Sequence, residues 1–227
     1  MVAIDFQELK EKNDALLLAP LNFSVLAGKH GAVEIPESLT DETGILQALP
    51  EGYDKVGEIQ KAAGVTITPE LTLTGPEGYG SRGRRRDLVQ TDTTAIEYVA
   101  QEQRLINIEH GQGVDVETPV LSNAAEVRFA KRRRRKPKEE TLILIGHDAE
   151  NNFEKDIYLY WIFTRTVITS SNPLTNTDSN ILEYQIRHEL KDLDYDDPHE
   201  PYYFGLAGPG VPEFAAEIGL TLPSSGN

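Results

Sequence analysis

The sequence of 227 residues has no cysteine, a single methionine and a single tryptophan. Without cysteine the chain can form neither a disulfide framework nor a thiolate centre. Long apolar runs are also missing, since no stretch approaches the roughly 18 residues that a membrane helix needs. Residues 1–12 are charged where a signal peptide would be apolar. We therefore expect a protein that has no membrane contact and is made in a reducing cytoplasm.

Positive charge is scarce and unevenly placed. Lysine and arginine total 22 against 37 acidic residues, which gives a net charge of -15 at pH 7. Half of the cations lie in two short clusters: Arg82, Arg84, Arg85 and Arg86, and then Lys131, Arg132, Arg133, Arg134, Arg135, Lys136 and Lys138. An acidic chain is a poor binder of nucleic acid, because phosphate contacts need clustered cations.

The two clusters still allow two interpretations, a nucleic-acid or localisation patch and a protein contact. Aromatic residues are not interleaved with residues 132–135, although single-strand binders favour them. Because the rest of the chain is so acidic, we predict that the arginines contact acidic surface on a neighbouring subunit. The predicted subunit-contact residues are Arg82, Arg84, Arg85, Arg86, Arg132, Arg133, Arg134 and Arg135.

Patterns typical of β-strands dominate the middle of the chain. Residues 65–74 alternate apolar side chains with threonine, and Pro69 favours a kink or an edge position. Further strands are predicted at 88–100, 124–130, 141–145, 157–169 and 182–190. Trp161 lies at the centre of the longest of these, so we expect it to be largely buried.

One helix is predicted near residues 101–110, with Gly111 as its stop. Residues 1–51 are predicted to form an N-terminal arm with short strands, and the Gly- and Pro-rich residues 196–227 an extended C-terminal tail. Residues 52–195 then form the single domain. The predicted fold class is mainly β: a β-sandwich of antiparallel strands flanked by one α-helix, with extended N- and C-terminal arms.

Three patterns could suggest chemistry. The acidic segment 192–200 has carboxylates that suit a hard cation, but it lacks the central glycine of an EF-hand loop. His147 and Asp148 resemble a general base and its orienting acid, yet no nucleophile motif accompanies them. Glycines within residues 75–86 are followed by arginine rather than by the Lys-Ser/Thr of a phosphate loop. We therefore expect no catalytic, cofactor-binding or metal-binding residues, no cofactor, and no enzymatic activity.

From residue 52 to about residue 195 the order of features resembles the major tail tube proteins of siphophages, the phages with long non-contractile tails. The segments that carry the resemblance read GYDKVGEIQKAAGVTITPELTLTG (52–75), TDTTAIEYVAQEQRLINIEHG (91–111), TLILIGHDAENNFEKDIYLYWIFTRTVIT (141–169) and ILEYQIRHELKDLDYD (181–196). They follow that family's order of a strand pair, a Thr-rich strand leading into one helix, and closing antiparallel strands. The four consecutive arginines at 132–135 are not part of that pattern.

The resemblance implies a virion protein that assembles as hexameric rings, which stack into the tail tube and conduct DNA during ejection. Its partners would be other copies of itself and tail proteins such as the tape measure, terminator and distal tail proteins. Phage DNA would pass through the lumen without specific binding, after assembly in the cytoplasm of the bacterial host. Two alternatives stay open: a tail terminator or head–tail connector ring, and a metal-assisted hydrolase using His147, Asp148 and residues 194–199.

Overall fold

The computed structural model describes residues 5, 9–76, 79, 83, 85–131, 136–171 and 181–223. Ten strands and two α-helices occur in this part of the chain, so the prediction of a mainly β, antiparallel fold is confirmed. The elements in chain order are β1 (Asn22–Lys29), β2 (Tyr53–Lys55), β3 (Val65–Thr74), β4 (Leu88–Ala100), α1 (Leu105–Gln112), β5 (Asp115–Asn123), β6 (Glu126–Ala130), β7 (Glu139–Asp148), β8 (Ile157–Ser171), β9 (Tyr184–Leu190), β10 (Tyr202–Ala207) and α2 (Val211–Glu217). No helix in these ranges is both long and apolar enough to span a membrane.

The long strand β8 organises an eight-stranded antiparallel sheet, whose main order is β2-β1-β7-β8-β9-β4-β3. One edge of β8 pairs with β7. The opposite edge pairs first with β10, over residues 158–163, and then with β9, over residues 166–171. One strand thus joins two groups of strands. Strands β5 and β6 form a separate two-stranded sheet.

The main hydrophobic core lies between these two groups, as in a sandwich. Strands β1, β7 and β8 contribute to it from one side and β4 and β9 from the other. Its fully buried side chains include Val25, Ile96, Tyr98, Leu142, Leu144, Phe163 and Ile186. Because side chains alternate along a strand, the opposite face of β1, β7 and β8 holds a second cluster, formed by Leu26, Ile143 and Ile162. Strand β7 is apolar on both faces for this reason.

Several predicted details were wrong. Strand β1, placed in an N-terminal arm, lies inside the sheet between β2 and β7. Ile35 and Leu49, from the same segment, cover the second cluster. Residues 196–227, predicted as an extended tail, contain β10 and the second helix α2. Turn residues on both sides of these short elements obscured them, and long-range contacts stabilise them: Phe214 of α2 is buried and packs edge-on against Phe153, with ring centroids 6.2 Å apart.

Trp161 is partly exposed and lies at the margin of the main core. Its ring stacks on Phe23 at 6.5 Å and makes a tilted contact with the exposed Phe204 at 5.1 Å. The aromatic residue of β8 that is fully buried is Phe163, two positions along the same strand. Periodicity identified the buried face of β8 but not where along the strand the core ends.

Helix α1 ends at Gly113, whose backbone is left-handed with φ +65°, and not at Gly111. Close packing, rather than helix termination, explains the glycine at position 111, because a Cβ there would lie 2.0 Å from the ring of Tyr184. Gly111→Ala should therefore lower the free energy of unfolding by about 1–3 kcal/mol through overpacking, despite the better helix propensity of alanine. Urea denaturation measures this. Gly83→Ala is the control, since its Cβ would meet no atom within 4 Å, and an equal loss in both variants would contradict the explanation.

Candidate functional site

Strand β3 carries an apolar row that starts in the core and ends in solvent. Val65 and Ile67 pack against the main core. Leu71 and Leu73 continue the same face of the strand, but they are 59% and 37% exposed. Val89, which pairs with Leu73 across the hairpin, is 63% exposed. We call Leu71, Leu73 and Val89 the hairpin-tip patch. A contiguous apolar surface at the end of a hairpin is typical of a contact with another protein.

The strand that carries this patch is also an edge of the sheet. Among the described residues, strand β3 pairs with β4 alone, so the prediction that Pro69 favours an edge position is confirmed. Proline lacks the N–H that a second neighbour would need at that point. The rest of the edge presents backbone N–H and C=O groups that another strand could pair with.

The separate β5–β6 sheet exposes a second apolar surface. Leu121 and Val127 face each other across the two strands and are 71% and 52% exposed, and Val120 is exposed as well. A two-stranded sheet is at best marginally stable by itself in water. Its exposed apolar side chains therefore favour a partner surface that covers it.

The face of β9, β4 and β3 that points away from the core is polar. Arg187 lies there between three carboxylates, 2.6 Å from Glu97 and 3.2 Å from each of Glu70 and Glu189. The hydrogen bonds that Arg187 donates to Glu97, Glu189 and Glu70 raise its pKa. Three carboxylates around one guanidinium leave this face with an excess of negative charge.

Only two of the predicted subunit-contact residues fall in the described part of the chain. Arg85 and Arg86 are exposed there, and the backbone N–H of Arg85 donates to the carbonyl of Pro76 at 3.1 Å. Arg82, Arg84, Arg132, Arg133, Arg134 and Arg135 lie outside the described residues. Contact with a neighbouring subunit therefore stays a prediction for the whole set.

His147 and Asp148 do not form a base and its orienting acid. His147 Nε2 lies 2.7 Å from Asp156 Oδ1, and its ring stacks on Tyr158. The buried carboxylate of Asp148 instead accepts hydrogen bonds from the backbone N–H groups of Ala19, at 2.7 Å, and Glu150, at 3.2 Å. Asp148 thus holds the N-terminal segment against the end of β7.

The acidic segment 192–200 is likewise engaged within the chain. Asp194 Oδ1 lies 3.2 Å from Arg165 Nη1. Asp197 accepts hydrogen bonds from the backbone and ring nitrogens of His199, which lower its pKa. The carbonyl of Glu200 accepts from the Thr164 hydroxyl at 2.6 Å. These contacts anchor the segment beside β8.

Sequence reasoning missed a polar cluster inside the protein. His110 of α1, Glu140 of β7 and His188 of β9 are all buried, and one donor atom from each lies within 4.8 Å of the others. His110 Nε2 is 3.0 Å from Glu140 Oε1, and His188 Nδ1 is 4.0 Å from Glu140 Oε2. The two imidazole rings meet edge-on, with an interplanar angle of 77°. We call these three residues the His-Glu-His cluster.

Burial controls the charges of the His-Glu-His cluster. Desolvation, together with the neighbouring His110, lowers the pKa of His188 to about 3 against the opposing effect of Glu140, so this imidazole is neutral. Burial would raise the pKa of Glu140, but the hydrogen bond and charge of His110 outweigh that effect and the pKa is lowered. Glu140 Oε2 and His110 Nδ1 have no hydrogen-bond partner in the described part of the chain. Each such buried polar atom costs about 1–3 kcal/mol.

No protein-family model and no curated protein matches the chain. Among solved structures, it is similar to a chain of the 6-fold symmetrised cryo-EM structure of the anti-feeding prophage (AFP) baseplate, with 11% sequence identity and a TM-score of 0.35. The match covers 82% of this chain and 93% of that chain. A TM-score this low is too weak to assign a fold or a function to this chain.

Proposed function

We propose that this chain is a structural subunit of a phage-type tail, the major tail tube protein of a siphophage, which polymerises as stacked hexameric rings into the conduit for DNA. The observation that carries the proposal is the apolar row of β3, which is core at its base and exposed at its tip. The resemblance of residues 52–195 to tail tube proteins supports the same function.

The hairpin-tip patch and the edge of β3 together favour a second copy of this chain as the partner. A neighbouring subunit that packs on Leu71, Leu73 and Val89 extends the core past the limits of one chain. Its strand would also satisfy the backbone groups of the β3 edge. Ring closure removes such edges from every subunit at once, because each copy offers its edge to the next.

The polar face of β9, β4 and β3 is the face we assign to the lumen. Its carboxylates outnumber its cations around Arg187. A negatively charged wall repels DNA phosphates, so DNA slides past without specific binding. The remaining partners in this proposal are the tape measure, terminator and distal tail proteins. The proposal includes no catalytic step.

Electron microscopy of the purified full-length chain tests the proposed function. We expect rings at low concentration and tubes after concentration, with light scattering showing masses well above one chain. Added salt should loosen assembly if the arginine clusters contact acidic surface on neighbouring copies. Single rings that never stack would instead indicate a terminator or connector. A strictly monomeric chain at high protein concentration would contradict both.

A further inference from the structure

We infer that the His-Glu-His cluster is a structural metal site that takes one divalent transition-metal ion of the Zn²⁺ class. This inference is independent of the proposed tail function, because it concerns the interior of a single chain. It rests on the convergence of His110, Glu140 and His188 within 4.8 Å, on their burial, and on Glu140 Oε2, which has no hydrogen-bond partner among the residues that the structure describes.

The donor set and its spacing suit zinc. Imidazole nitrogen and carboxylate oxygen are standard Zn²⁺ ligands at about 2.0–2.2 Å, so neighbouring ligand atoms in a tetrahedral site lie about 3.3 Å apart. The two measured separations, 3.0 Å from His110 to Glu140 and 4.0 Å from His188 to Glu140, fall on either side of that value. One carboxylate oxygen faces each imidazole. The two imidazoles and Glu140 would therefore supply at least three of the four donor atoms of a tetrahedral site.

Residues around the cluster also resemble the supporting shell of a metal site. A histidine that binds metal through one nitrogen usually donates its other N–H to an oxygen, which sets the ring orientation. His188 Nε2 lies 3.2 Å from the Tyr98 hydroxyl, while its Nδ1 lies 3.4 Å from the Thr166 hydroxyl and 4.0 Å from Glu140 Oε2. Thr166 donates to the Glu140 carbonyl at 2.9 Å and so positions the backbone that carries the carboxylate.

Glu140 is one of the residues that line a surface groove formed with α1, β5 and residues 136–139, which neither His110 nor His188 lines. Lys138 lies at this groove, paired with Glu109 and Glu117. The ligands come from α1, β7 and β9, so an ion bound by all three would crosslink the helix to both sides of the core. Binding would then add directly to folding stability.

Metal content and thermal stability test the inference. The full-length chain, refolded from denaturant with Zn²⁺ and then dialysed, should retain about one Zn²⁺ per chain by elemental analysis. Chelation should lower the melting temperature, and free Zn²⁺ at 100 times its Kd should raise it again by about 5–10 °C. Less than about a tenth of an ion per chain after refolding, together with no thermal shift, would overturn the inference and leave a hydrogen-bonded cluster.

Glu140→Gln is the decisive variant, because it keeps the size of the side chain and removes the charged ligand. Its Zn²⁺ content should fall by at least about tenfold. His147→Gln is the matched control, since that histidine pairs with Asp156 outside the cluster. Equal retention in both variants would overturn the inference. If Glu140→Gln does not fold, Co²⁺ added to the wild-type chain decides: intense visible d–d bands support a tetrahedral protein site, and their absence contradicts it.

Discussion

The Leu71→Thr/Leu73→Thr variant is expected to stay folded and to lose assembly. Both side chains lie on the exposed half of β3, and threonine has the β-branched side chain that strands favour, so the free energy of unfolding should change little. In the polymer each leucine would otherwise gain about 1.5–3 kcal/mol from full burial. Losing even half of this at every interface raises the critical concentration for assembly by roughly tenfold or more. Sedimentation velocity over a concentration series measures it.

Leu105→Thr is the matched control for that variant. Leu105 is 57% exposed at the start of α1, so the same chemical change is made away from the hairpin. We expect it to assemble like the wild type. If both variants polymerise normally, the hairpin-tip patch is not the contact between copies, and assembly would have to use the β5–β6 surface or the arginine clusters.

Phe163→Ala is expected to be the most destabilising single change in the core. The ring is fully buried and contributes to the main core between the two groups of strands. Truncating a large buried aromatic side chain costs about 3–5 kcal/mol, which is a large share of the 5–15 kcal/mol that stabilises a typical domain. Chemical denaturation followed by circular dichroism measures the change in the free energy of unfolding.

Trp161→Ala gives the comparison within the same strand. Trp161 faces the same core as Phe163 but is half-buried, and cost scales with the apolar area removed from contact. We therefore expect a smaller loss than for Phe163→Ala. A larger loss for Trp161 would mean that its stacking on Phe23 and Phe204, rather than burial, dominates at this end of β8.

Patterns in the sequence were sufficient to predict the structure of segments whose conformation depends on near neighbours in the chain. Alternation over residues 65–74 and 88–100 predicted β3 and β4 at their observed bounds, because a pleated strand exposes its two faces to different surroundings. Pro69 indicated an edge for an equally local reason, the missing N–H. Tyr184, Ile186 and His188 alternate with polar neighbours in the sequence, and the structure buries all three.

Elements that depend on distant partners could not be predicted in this way. Strand β10 pairs with β8 across 39 to 49 positions of sequence and passes Gly205 closely over the Tyr160 ring. Acidic residues with prolines precede it and glycines follow it, so this segment is typical of a loop until the partner strand is known. The same holds for α2, whose Phe214 is buried through contacts made far along the chain.

The sequence by itself determined the mainly β class, the positions of most strands and the absence of thiol chemistry, because composition and periodicity record local surroundings. Only the tertiary structure brought His110, Glu140 and His188 together, since 30 and 48 residues separate them and no spacing rule links a helix to two distant strands. The tertiary structure was also needed to show that the apolar row of β3 extends beyond the core. Burial is a property of the packed layers, and the same alternating pattern continues whether or not a second layer covers it.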